Sequence, residues 1–123
     1  MARPSWKLTV RVEAVVESFG FDDLDAAVAA MRERALSIRA EAPPKTTNVL
    51  RTYKPSQQVQ GRLELSGRGL FGKPVAGVDV RGDGTFVPYK GGVRREELDP
   101  TNHDTPFDLV RETLEREKRL PIT

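Results

Sequence analysis

Between Gln57 and Lys90 the chain reads as strand, glycine-rich turn, strand, tight turn, strand. Val59, Gly61, Leu63 and Leu65 alternate with Gln60, Arg62 and Glu64. Ala76, Val78 and Val80 alternate with Gly77, Asp79 and Arg81. Period-two alternation turns one face inward and the other to water. Gly82-Asp83-Gly84 tolerates positive φ and predicts a tight hairpin. Thr85 to Lys90 then returns as a third strand, with Phe86 across from the Val78/Val80 region. Pro88 has no N–H to give a ladder, which places this strand at an edge. A chain with this middle is committed to an antiparallel sheet.

The linker between the first two of these strands, Gly67-Arg68-Gly69-Leu70-Phe71-Gly72-Lys73-Pro74, matches G-x-G-x-x-G. Dinucleotide binding needs a helix after that loop, because the helix N-terminus holds the pyrophosphate. Pro74 and a strand follow instead, so that reading fails. About nine residues resemble the glycine-rich hairpin of protein kinases, G-x-G-x-F-G-x-V, with Pro74 as an extra residue before Val75. The H-R-D, D-F-G and V-A-x-K elements of that family are missing. The loop is expected to be a hairpin connection that exposes Arg68, Phe71 and Lys73.

Elsewhere the pattern predicts one strand from Trp6 to Ser18, with Leu8, Val10, Val12, Ala14 and Val16 on one face. A helix is predicted from Asp22, with Asp22 and Asp25 capping it. Leu24, Val28, Met31, Ala35 and Ile38 form its apolar stripe, and Pro43-Pro44 ends it. Residues 42–58 read as a basic linker or a short strand. Thr105-Pro106-Phe107-Asp108 starts a final helix: a Thr cap, Pro at the first position and an acid at the third. Phe107, Val110 and Leu114 line its inner stripe, and residues 120–123 form a frayed tail. The expectation is a single α+β domain over residues 1–123. Its antiparallel sheet has four to five strands, in the order β-α-(β)-β-β-β-α, with both helices on one face.

With 123 residues the chain is long enough to bury its own core. Aromatic residues are scarce, at 7%, so aliphatic side chains must fill that core. There is no cysteine, which rules out disulfides, thiolate metal sites and cysteine nucleophiles. No apolar run approaches membrane-spanning length, and the N-terminus has no signal-peptide core. The expectation is a protein of the cytoplasm, or of a host cytoplasm if viral. His103 is the only histidine and reads as a loop or cap residue. Asp22, Asp23 and Asp25 sit at a helix start, where capping accounts for them, and calcium-loop spacing is absent. No nucleophile motif is present. The chain is therefore expected to be no enzyme, with no cofactor, no metal and no small-molecule substrate.

Charge is unevenly spread. Residues 1–44 carry −1, residues 45–95 carry +7 and residues 96–123 carry −4. A basic centre between acidic flanks suggests binding by charge. The candidate contact residues are Arg51, Tyr53, Lys54, Arg62, Arg68, Phe71, Lys73, Arg81, Tyr89, Lys90, Arg94 and Arg95. Their cations would attract phosphate by counterion release, with Tyr53, Phe71 and Tyr89 as stacking rings. The first reading is thus a non-enzymatic module that contacts nucleic acid or a ribonucleoprotein. The element order is similar in topology to ribosome-hibernation factors and to double-stranded-RNA-binding domains. Asp104 and Asp108, however, stand where the latter carry lysines. The second reading is a protein-interaction or assembly subunit, self-associating or serving as a phage or mobile-element accessory. Its predicted surfaces are the edge strand near Val87 and the Phe71 loop.

Overall fold

A computed structural model describes residues 5–41, 59–67, 74–91, 95–99, 101 and 105–119. Its elements are β1 (Trp6–Val12), β2 (Val15–Phe21), α1 (Leu24–Glu41), β3 (Val59–Gly67), β4 (Val75–Arg81), β5 (Phe86–Lys90), β6 (Glu96–Glu97) and α2 (Pro106–Arg119). All strands pair antiparallel, in the spatial order β2-β1-β3-β4-β5-β6. The α+β class and the antiparallel sheet are as expected. Among the described residues the strands number six, because the first predicted strand is a hairpin and Glu96–Glu97 adds a short strand.

That hairpin corrects the expectation of one strand over Trp6–Ser18. Val12 pairs with Val15, leaving Glu13 and Ala14 as a two-residue loop. Glu13 takes φ 54°, where L-residues are disfavoured. The loop shifts the phase of the alternation. Leu8 and Val10 stay inside, but Val16 now shares the outer face with Arg11 and is exposed.

The core lies between one sheet face and the two helices. Trp6, Leu8 and Val10 of β1 face inward with Leu63 and Leu65 of β3 and Ala76, Val78 and Val80 of β4. Ala27, Val28, Met31 and Ala35 of α1 pack on them, with Leu24 and Ile38 partly buried at the ends of the stripe. Small Ala27 and Ala35 let α1 approach the sheet closely. Phe107, Val110 and Leu114 of α2 complete the cluster. Phe86 meets Phe107 edge to face at 5.3 Å.

The two helix starts are capped by different residue types. Asp23, not Asp22, caps α1: its carboxylate accepts from Asp25 N at 3.3 Å, and its carbonyl accepts from Ala27 N at 3.0 Å. At α2 the expected cap holds, with Thr105 Oγ1 accepting from Asp108 N at 3.1 Å. Arg111 of α2 pairs with Asp25 of α1 and ties the two helices together.

The β4–β5 turn closes as expected. Arg81 N donates to Thr85 O at 2.8 Å, Gly84 N donates to Arg81 O at 2.9 Å, and Gly84 takes φ 88°. Pro88 was expected to mark an edge, yet β5 gains β6 as a neighbour. Leu98 N donates to Pro88 O at 2.9 Å, so the missing N–H of Pro88 faces that side. Only two β6 residues pair there.

Candidate interaction surface

The sheet has an outer face, opposite the helices, and two edges. On the outer face of β3–β5 four of the candidate residues meet. Arg62 stands directly across from Asp79, and its Nε donates to Asp79 Oδ1 at 2.9 Å. Arg95 donates to Asp79 Oδ2 at 2.6 Å. The same guanidinium lies 4.1 Å above the Tyr89 ring. Arg81 pairs with Glu97 at 3.0 Å. Lys90, on the helix side of β5 by register, pairs with Glu96 at 3.7 Å.

Asp79 is 1% exposed, although it points away from the helices. Two guanidiniums seal it, each about one-third exposed. Tyr89 is fully buried. It sits opposite Gly77, and its hydroxyl donates to the Leu63 carbonyl at 3.2 Å, so the ring lies across β4. Burial, then the nearby Glu64 and Asp79 carboxylates, pushes its phenol well above the ordinary tyrosine range.

This corrects the role expected of Tyr89. A ring lying over Gly77 beneath Arg95 has no face to offer a base. Arg62, Arg81, Lys90 and Arg95 are the described cations of the basic centre, and each has an acidic partner. Sequence counting missed this because the sheet register, not sequence proximity, brings Asp79 of β4 and Glu96 and Glu97 of β6 to these cations. The other candidates, Arg51, Tyr53, Lys54, Arg68, Phe71, Lys73 and Arg94, lie outside the described residues. So do His103, the 42–58 segment and the 120–123 tail. Beside the neutralised cluster, Arg11 stands directly across from Arg62, and Lys7 is exposed on the same face.

The β2 edge is a different surface, and the sequence reading missed it. Six of its seven residues are exposed. Val15 is 61% exposed, Val16 49% and Phe19 38%. One flank of β2 is bonded to β1; among the described residues it has no strand neighbour on the other flank. Natural edges are usually blunted by lysine, proline, a bulge or shortness. β2 has none of these: its pairing with β1 runs without a break from Val15 to Phe21. Its one charge, Glu17, is held by Arg34 of α1, and Arg34 also stacks on Phe19 at 5.7 Å. The far edge is closed by contrast, since β6 is two exposed acids long.

Hydrogen-bond parity shows which β2 groups have no strand partner among the described residues. Gly67 N donates to Pro74 O at 2.9 Å, so odd-numbered β3 residues bond toward β4 and even-numbered ones toward β1. Carried across the register, even β1 residues bond to β2 and odd β2 residues bond back. Val16, Ser18 and Gly20 therefore turn their N–H and C=O groups outward. Beside this edge, between the hairpin and α1, runs an open groove of about 460 Å³. Val12, Val15 and Ile38 form its apolar wall, and Glu13, Glu17 and Arg34 stand at its rim.

Among the described residues no three His, Cys, Asp or Glu side chains gather into a metal site. No described helix is long and apolar enough to cross a membrane. Comparison with known proteins finds no matching family model, no matching curated protein and no matching solved structure.

Proposed function

We propose that the chain is a non-enzymatic protein-interaction and assembly module that acts through the β2 edge. The supporting observation is the seven-residue β2, with no strand neighbour on one flank among the described residues, bearing exposed Val15, Val16 and Phe19 and a single charge, Glu17, that Arg34 neutralises. An added strand would gain main-chain bonds from Val16, Ser18 and Gly20 and apolar contacts from the side chains between them. The internal pairing of Arg62, Arg81, Lys90 and Arg95 supports the same reading, because those cations already have carboxylates to neutralise them.

Nucleic-acid or ribonucleoprotein binding is the second reading. Lys7 and Arg11 favour it, two exposed cations on the outer face, Arg11 directly opposite Arg62. One experiment separates the two. Light scattering over a concentration series reports association, and fluorescence anisotropy against duplex and single-stranded DNA and RNA at two salt concentrations reports phosphate binding. A concentration-dependent mass with no nucleic-acid affinity supports assembly. A monomer whose nucleic-acid affinity falls steeply with salt overturns it.

A further inference from the structure

The outward groups of β2 are arranged symmetrically in sequence. Val16, Ser18 and Gly20 are evenly spaced, and Ser18 is the midpoint of Val15–Phe21. We propose that β2 pairs antiparallel with β2 of a second copy, about a two-fold axis through Ser18, joining two six-stranded sheets into one. This inference rests on the assembly reading and adds the partner and the register.

In that register Ser18 lies opposite Ser18 of the second copy, and Val16 lies opposite Gly20. The three bonded pairs exchange about six backbone hydrogen bonds. A shift by one residue would set the outward groups of one strand against the inward-bonded groups of the other, so parity restricts the choice. Side chains fit as well. Val16, on the outer face, meets a glycine, which leaves it room. Glu17, on the helix side, meets Phe19 of the second copy, the ring that Arg34 covers. Each Glu17 thus lies near the second copy's Arg34 as well as its own, and unlike charges approach across the axis. Val15 meets Phe21 at both ends of the junction. Isologous contacts of this kind close after two copies, so the product is a dimer rather than a fibre.

The absence of cysteine makes the register directly testable. In Ser18→Cys the two thiols would sit on residues about 5.5 Å apart between Cα atoms, within disulfide range. In Val16→Cys they would be about 13 Å apart, four residues along a strand, and out of reach. Each variant is oxidised mildly at a concentration where light scattering of the native chain shows association, and circular dichroism checks its fold. The proposal expects covalent dimer from most of Ser18→Cys and little from Val16→Cys. Association with crosslinking in Val16→Cys instead overturns the register and leaves assembly standing. Association with no crosslink in either variant removes β2 from the interface. A native chain that stays monomeric overturns the assembly reading and this inference together.

Discussion

Tyr89 lies directly over Gly77, and the two residues are each other's requirement. The ring crosses β4 because Gly77 has no side chain, and its hydroxyl reaches the Leu63 carbonyl on β3. A Cβ on Gly77 would stand 2.0 Å from Leu63 O, 2.7 Å from the Tyr89 hydroxyl and 2.9 Å from Glu64 Cα. Two of those atoms are backbone and cannot swing aside. Gly77→Ala is therefore expected to destabilise the fold by about 3 kcal/mol or more. Tyr89→Phe added to it should not restore stability, because the clash with the carbonyl remains. Urea denaturation of the single and double variants checks both statements.

Tyr89 also predicts a pH dependence. Its phenol is raised above the ordinary value by burial and by nearby carboxylates. The unfolded chain loses this proton near pH 10 while the folded chain keeps it. Its contribution is complete below about pH 10 and declines as pH rises further, by up to about 1.4 kcal/mol per pH unit. Tyr89→Phe should flatten that decline and cost about 1 kcal/mol at neutral pH through the lost hydrogen bond. Equal slopes for both proteins between about pH 9 and pH 11 would contradict this assignment.

Asp79 is the anchor of the outer-face cluster. Removing it leaves the Arg62 and Arg95 guanidiniums facing each other with no carboxylate between them. Because both guanidiniums are partly in water, the expected loss for Asp79→Ala is about 2 kcal/mol, toward the low end for broken buried pairs. A denaturation midpoint unchanged from the native protein would show that the pairs contribute nothing.

Much of this fold was legible in the sequence. The β3–β4–β5 alternation, the Gly82–Thr85 turn, the Thr105 cap and the apolar stripes of both helices follow from period and capping chemistry alone. The β1–β2 hairpin did not, because Glu13-Ala14 carries none of the Asn-Gly or Asp-Gly chemistry of two-residue turns. Its trace is a phase slip. Inward positions are even through Val12 and odd from Val15 to Phe21, and consecutive Val15-Val16 hides the break. The candidate surface was lost with it, since β2 has no existence in a single long strand. The charge cluster was hidden for another reason: a net charge summed over a segment says nothing of which partners the sheet register supplies.

The strained loop itself gives a prediction. Glu13 holds a φ of 54°, a conformation that costs L-residues roughly 1–2 kcal/mol and glycine little. Glu13→Gly should raise stability by about 0.5–1 kcal/mol, after the added freedom of the unfolded chain is counted. A calorimetric midpoint that moves down rather than up would contradict the turn geometry.

The central claim is that the outward amides of β2 bond to another chain. Ser18→Pro addresses it most directly. Proline removes the outward N–H of Ser18 and leaves every bond between β1 and β2 intact, and an edge strand accepts proline at such a position. The measurement is the light-scattering mass of native and Ser18→Pro protein over the same concentration series, with circular dichroism on each sample. The account predicts a native mass that rises to that of two chains, and a folded Ser18→Pro variant that stays at the mass of one. Identical mass curves for two folded proteins would contradict it.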